Sequence, residues 1–174
     1  GRQPNVAKLK VRVVQRRSVS LPEAGRRLPG VVAHLAKPQF LQFGARLIRQ
    51  HAAELKLHRN FTIYDQDDQR RLVAAALEEM GLGEEKKKAG FYLSFISRAK
   101  DDLLDAKSYA IHAMAGGDPY RRTAAQVYEL YQARLERAGA LDFGDLLVKA
   151  VELLKEHACV REYYQELFLQ VLVD

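Results

Sequence analysis

The clearest chemical potential lies in Val171-Leu172-Val173-Asp174, an apolar run followed by a carboxylate. A carboxylate at the end of a buried strand is suited to holding magnesium, through water, at the β- and γ-phosphates of a nucleotide. That chemistry also needs a phosphate cradle, and no G-x-x-x-x-G-K-[ST] run is present. G-x-S-x-G and H-E-x-x-H are absent too, which removes the nucleophile elbow and the zinc-protease helix. The five histidines (His34, His51, His58, His112 and His157) are scattered without metal-ligand spacing. Cys159 is the single cysteine, so an intramolecular disulfide and a Cys-cluster zinc site are both excluded. A reducing, cytoplasmic compartment is the default expectation.

The cationic residues are the other candidates. The net charge of +6 over 174 residues is uneven: residues 1–50 hold 11 Lys and Arg against one acid, Glu23, and the rest of the chain is net acidic. A basic segment attracts nucleic-acid phosphates, although a solvated tail carries the same charge. Arg46 and Arg49 share one side of a helical stripe. Lys86-Lys87-Lys88 reads first as a solvated face and second as a phosphate patch. With 48% hydrophobic and 29% charged residues, the chain is an ordinary globular sequence. No apolar run approaches the roughly 20 residues that span a bilayer, so no membrane partner is expected.

The elements that must position these groups are mostly helices. Phe43, Leu47, Ile48 and Leu55, with Ala45 and Ala52, fit a helical stripe. A β-like run, Phe61 to Tyr64, leads into Asp65, and Asp68 follows at capping-box spacing before a helix through Met80, with Gly81 as its stop. Residues 91–104 read as a helix with Leu93, Ile96 and Leu103 inward, and 106–115 as another. Asp118 before Pro119 is an N-cap with proline at the first helical position. The helix it opens buries Ala124, Val127, Tyr128, Tyr131 and Leu135 and ends at Gly139. Asp142 and Asp145 repeat the capping spacing. By that reading Asp142→Asn should be far milder than Asp142→Ala, because Asn caps about as well. A last helix covers Val160 to Leu167, and Leu169 to Val173 is a strand. Residues 1–38 hold four of the five prolines and offer only a short alternation, Leu9, Val11 and Val13.

Three blocks follow one another. The first is Phe43-Gly44-Ala45-Arg46-Leu47-Ile48-Arg49, then Asn60 to Asp65 and Asp68-Gln69. The second is Val127-Tyr128 to Tyr131, then Leu141-Asp142-Phe143-Gly144-Asp145-Leu146-Leu147. The third is Val160-Arg161-Glu162-Tyr163-Tyr164-Gln165, then Val171 to Asp174. In identity, order and spacing they resemble the UvrD/Rep/PcrA-type superfamily 1 DNA helicases, over about Phe40 to Asp174. Two departures stand out. The family usually reads Thr-Phe-His-Ser where this chain has Gln39, Phe40, Leu41 and Gln42, and it often has Asp where this chain has Gly144.

The resemblance implies a mainly α fold, the helical subdomain 1B of a P-loop RecA-like α/β motor, over residues 39–168. Residues 169–174 would return as one terminal strand of a parent sheet outside the chain. Asp174 would open the magnesium-binding Asp-Glu-x-Gln motif. Residues 1–38 would be a motor-domain remnant or a mis-translated segment. The implied parent is an ATP-dependent 3′-to-5′ DNA helicase of repair or replication that uses ATP and Mg2+. The fragment alone would bind neither well and would not hydrolyse ATP. Expected DNA contacts are Phe40, Arg46, Arg49, Lys86, Lys87 and Lys88, with Asp65 and Asp142 as structural caps. Expected partners are single-stranded DNA, the duplex junction and the rest of the helicase chain. The competing class is a catalytically inert helical module that binds DNA or protein.

Overall fold

Helices dominate the computed structural model, which describes residues 11–15, 33–35 and 37–173, with side chains from 41 to 167. The described elements include a small antiparallel sheet in which β1 (Val11–Gln15) lies between β2 (Ala33–Leu35) and β5 (Phe168–Val173). Val11 stands opposite Leu35 on one side and Val173 on the other, and the β1–β5 register shifts between Val14 and Gln15. The terminal strand, expected to join a parent sheet outside the chain, pairs along one edge with β1 of this chain. Backbone N–H and C=O groups of a strand need ladder partners, and β5 finds them within the chain. The expected alternation does form a strand from Val11; Leu9 lies outside the described residues.

α1 (Lys37–Gln50) buries Ala45, Leu47 and Ile48 and leaves Arg46, Arg49 and Gln50 outside. A left-handed residue, Lys56, turns the chain toward β3 (Thr62–Ile63). α2 (Gln66–Glu79) starts at the Asp65–Asp68 capping box, and Gly81 ends it with a positive φ of 75°. There a left-handed backbone favours glycine. A 3-10 turn, Gly83–Lys88, buries none of its side chains and leads into α3 (Ala89–Asp101). α3 turns Leu93 and Ile96 inward, but Leu103 is exposed with φ 56°, against expectation. The helix has already ended at Asp101, so its inward stripe does not extend that far.

α4 (Ala106–Ala115) and α5 (Pro119–Arg137) form a helical hairpin, each opened by an aspartate cap. β4 (Ala140–Leu141), which sequence pattern does not announce, pairs in parallel with β3. α6 (Phe143–Glu156) and α7 (Ala158–Leu167) complete the helices.

The apolar core has two parts. One gathers α2, α3 and α5 around Val73, Leu77, Ile96, Val127, Tyr131 and Leu135. The other gathers α1, α6 and α7 around Ile48, Phe61, Leu146, Leu153 and Tyr164. The β3–β4 ladder joins them: the Thr62 N–H donates to the Gly139 carbonyl at 3.2 Å and that of Tyr64 to Leu141 at 2.9 Å. Asp65 follows Tyr64 and Asp142 follows Leu141. One short ladder therefore sets the start of both α2 and α6.

Candidate nucleic-acid interface

The C-terminal end of α1 gathers cations on the surface. The Arg49 guanidinium lies over the Phe61 ring at 4.7 Å, and its Nη2 makes a long hydrogen bond, 3.5 Å, to the Phe61 carbonyl. Arg59 reaches back from the loop and donates through Nε to the Arg49 carbonyl at 3.2 Å. Cations near the last carbonyls of a helix interact favourably with its dipole. Arg46 lies one turn earlier on the same exposed side. Arg46 and Arg49, expected from the sequence, are thus joined by Arg59, which no helical spacing could have found.

The lysine run behaves differently. Lys86 pairs with Glu78 at 2.6 Å and Lys88 with Glu85 at 2.8 Å. The Glu85 carboxyl is held below its usual range by its hydrogen bond from Lys88. Lys87 is exposed and makes no ion pair among the described residues. Exposed pairs of this kind are worth little, so only Lys87 offers a charge not already answered by an acid. Phe40 lies near the start of α1, but its side chain, like the whole of Asp174, lies outside the described residues.

The strongest electrostatic feature is buried. Lys100, 1% exposed, sends its ammonium from α3 to the N-terminus of α6. It donates at 2.7 Å to both Asp142 Oδ2 and Asp145 Oδ1. The Tyr131 hydroxyl donates to Asp142 Oδ2 at 2.6 Å. The capping box closes around them: the Asp145 N–H donates to Asp142 Oδ1 at 2.7 Å and the Asp142 N–H to Asp145 Oδ2 at 3.2 Å. The ammonium also faces the rings of Tyr131 at 5.2 Å and Tyr128 at 5.7 Å, both within cation–π reach. Two carboxylates share one ammonium in a buried site. Burial pushes the Asp145 carboxyl up, Lys100 opposes this, and the neighbouring Asp142 adds to it. Burial, together with Asp142, also raises the Tyr131 phenol far beyond its ordinary value. The atoms of this cluster are satisfied by one another, which makes it a structural joint between the two cores. Asp142 is the cap the sequence indicates, while Lys100 carries no sequence signal, being 42 positions away.

The stem of Lys100 also accounts for Gly144. A Cβ built there would lie 2.8 Å from Lys100 Cδ and 3.0 Å from its Cβ. A groove of 440 Å³ reaches the cluster, lined by Lys100 and Asp142 together with Gln66, Ser97, Asp101 and Phe143. Of the tyrosines at helical spacing, Tyr128, Tyr131 and Tyr164 are core residues, and Tyr163 is half-buried at the edge of the second core. Among the described residues no group of three His, Cys, Asp or Glu is placed to hold a metal ion. No helix among them is long and apolar enough to cross a membrane.

The sequence family described as UvrD/REP helicase N-terminal domain matches residues 6–174. The chain is 38% identical over 130 residues to ATP-dependent DNA helicase UvrD1 of Mycobacterium leprae (strain TN), covering 74% of this chain and 17% of the relative. It is 33% identical over 129 residues to DNA helicase II of Escherichia coli (strain K12), with 74% and 17% covered. With ATP-dependent DNA helicase PcrA of Leuconostoc citreum it shares 32% over 135 residues, 78% of this chain and 18% of the relative. The chain therefore spans less than a fifth of the length of these relatives.

Proposed function

Because the chain belongs to the UvrD/REP helicase N-terminal domain family, we propose that it is part of an ATP-dependent DNA helicase. The whole protein would translocate 3′ to 5′ on single-stranded DNA and unwind duplex in repair or replication, in the cytoplasm. The observation that carries this reading is the long match to proteins named as DNA helicases, which takes in about three quarters of the chain. Residues 39–168 would form subdomain 1B and support the duplex junction. Residues 169–174 would lead into the magnesium motif. ATP and magnesium would be held by residues outside those described, with Asp174 as this chain's contribution. Magnesium would neutralise charge building up on the transferred phosphoryl group. The chain's own visible part is mechanical: the Lys100 cluster fixes α6 against α3, and Arg46, Arg49 and Arg59 present cations to phosphates. Such contacts tolerate any sequence, as unwinding requires.

Two measurements test this. In a longer protein that turns over ATP, Asp174→Ala should abolish ATP hydrolysis and leave single-strand binding intact; normal turnover would remove Asp174 from the motif. In the present chain, labelled forked DNA should bind weakly and lose affinity steeply with salt. Arg46→Gln and Arg59→Gln should each flatten the salt slope by about 1. Binding that is tight and insensitive to salt would instead favour a dedicated binding module.

A further inference from the structure

We propose that the end of the molecule where α3 and α5 begin is a stacking site for unpaired nucleic-acid bases, separate from the Arg46–Arg49–Arg59 edge. This rests on the DNA reading above and adds a second contact to it. Phe91 and Tyr120 come from different helices yet meet with ring centroids 5.6 Å apart, edge to face. Phe91 is 45% exposed and Tyr120 50% exposed. Phe95 at 5.0 Å and Tyr92 at 5.5 Å also meet Phe91 edge to face. Tyr92 is itself buried and donates its hydroxyl to Glu85. The outer rings are therefore held in place while offering open area. A preordered ring loses little freedom when a flat partner lands on it.

The surroundings select the partner. Lys87, before Phe91, and Arg122, after Tyr120, are exposed and make no ion pair among the described residues, while Lys88 and Arg121 face Glu85 and Asp118. The acids at this end are largely engaged: Glu85 holds Lys88, and Asp118 caps α5 at the Tyr120 N–H and faces Arg121 at 3.7 Å. Rings rimmed by cations match bases flanked by phosphates. A duplex keeps its bases stacked on one another, whereas unpaired bases offer their faces. Aromatic faces accept every base, so the site reads no sequence.

The test uses the full 174-residue chain and two labelled oligonucleotides of equal length, oligo(dT) and an abasic strand with the same phosphates. Fluorescence anisotropy should show oligo(dT) binding roughly 5- to 100-fold tighter than the abasic strand. Tyr120→Ala and Phe91→Ala should each weaken oligo(dT) binding at least about 5-fold and leave abasic binding unchanged, while Tyr120→Phe retains it. Should Phe91→Ala unfold the chain by circular dichroism, the half-exposed Tyr120 decides alone. Equal binding of the two strands overturns the stacking site and leaves the arginine edge standing, as does an unaffected Tyr120→Ala. Absence of binding to either strand overturns both readings.

Discussion

Asp65 and Asp68 at the start of α2, and Asp142 and Asp145 at the start of α6, form the same reciprocal capping box. The first box faces water, with Arg71 meeting Asp68 on its outer side at 2.6 Å. The second is sealed beneath Lys100 and Tyr131. One local device thus serves twice, once as a helix start and once as the joint between two cores. The difference shows that a capping motif fixes where a helix begins, whereas burial decides what depends on it.

The largest break in the comparison comes from Lys100→Met. It leaves two buried carboxylates without their cation, and breaking a buried pair from one side costs about 3–5 kcal/mol. Urea unfolding should show that loss, while Arg71→Ala, at the exposed box, leaves the midpoint nearly unmoved. Similar losses from the two variants would mean that Lys100 is not the anchor.

Asparagine then separates the boxes. Asp65→Asn should be almost silent and Asp65→Ala should cost about 0.5–2 kcal/mol, the ordinary value of a cap. Asp142→Asn keeps a capping oxygen but turns an amide nitrogen toward the Lys100 ammonium, and should cost about 1–3 kcal/mol for the unsatisfied buried group. The sequence alone expects it to be mild, and thermal melts of the three variants distinguish the two outcomes.

The box interiors give a similar contrast. Asp67 and Gly144 occupy equivalent positions, the first exposed and the second filled by the Lys100 stem. Gly144→Asp, toward the residue the family often carries, should cost about 1–3 kcal/mol through crowding. Wild-type stability for this variant would show that Lys100 moves aside freely.

The finest test is titration, because the two boxes carry opposite signs. Asp68 is lowered, chiefly by its hydrogen bond with Arg71, so its small contribution is present above the ordinary aspartate range and is lost as pH falls through its folded value. Asp145 is raised by burial, so the folded state holds its proton longer than the unfolded state does. Stability therefore declines as pH rises from the ordinary aspartate range through the folded Asp145 value. Carboxyl carbon NMR should show Asp145 titrating above Asp68; the reverse order would contradict the burial argument.

Much of this architecture was legible in the residues. The aspartate caps Asp65, Asp118 and Asp142, the glycine stops at Gly81 and Gly139 and the stripe of α5 are local signals, and each forms where it is written. Leu103 departs from the helical period because α3 ends at Asp101, two residues before it. Two-residue β4 carries no sequence signal because so short a strand has no period. Of the candidate contacts, the sequence yields Arg46 and Arg49 but neither Arg59 nor the Phe91–Tyr120 pair, whose members are brought together by loops and by neighbouring helix starts.

Sequence by itself determined what acts within a few bonds or one helical turn: caps, stops, apolar faces, and the run of blocks that marks the family. Tertiary structure alone decided which charges matter. Lys86 and Lys88, prominent in the sequence, are answered by Glu78 and Glu85, while Lys100, one lysine among many, becomes the buried anchor. The physical reason is that a charge's worth is set by its desolvation and its partners, and both are supplied by segments far away in the chain.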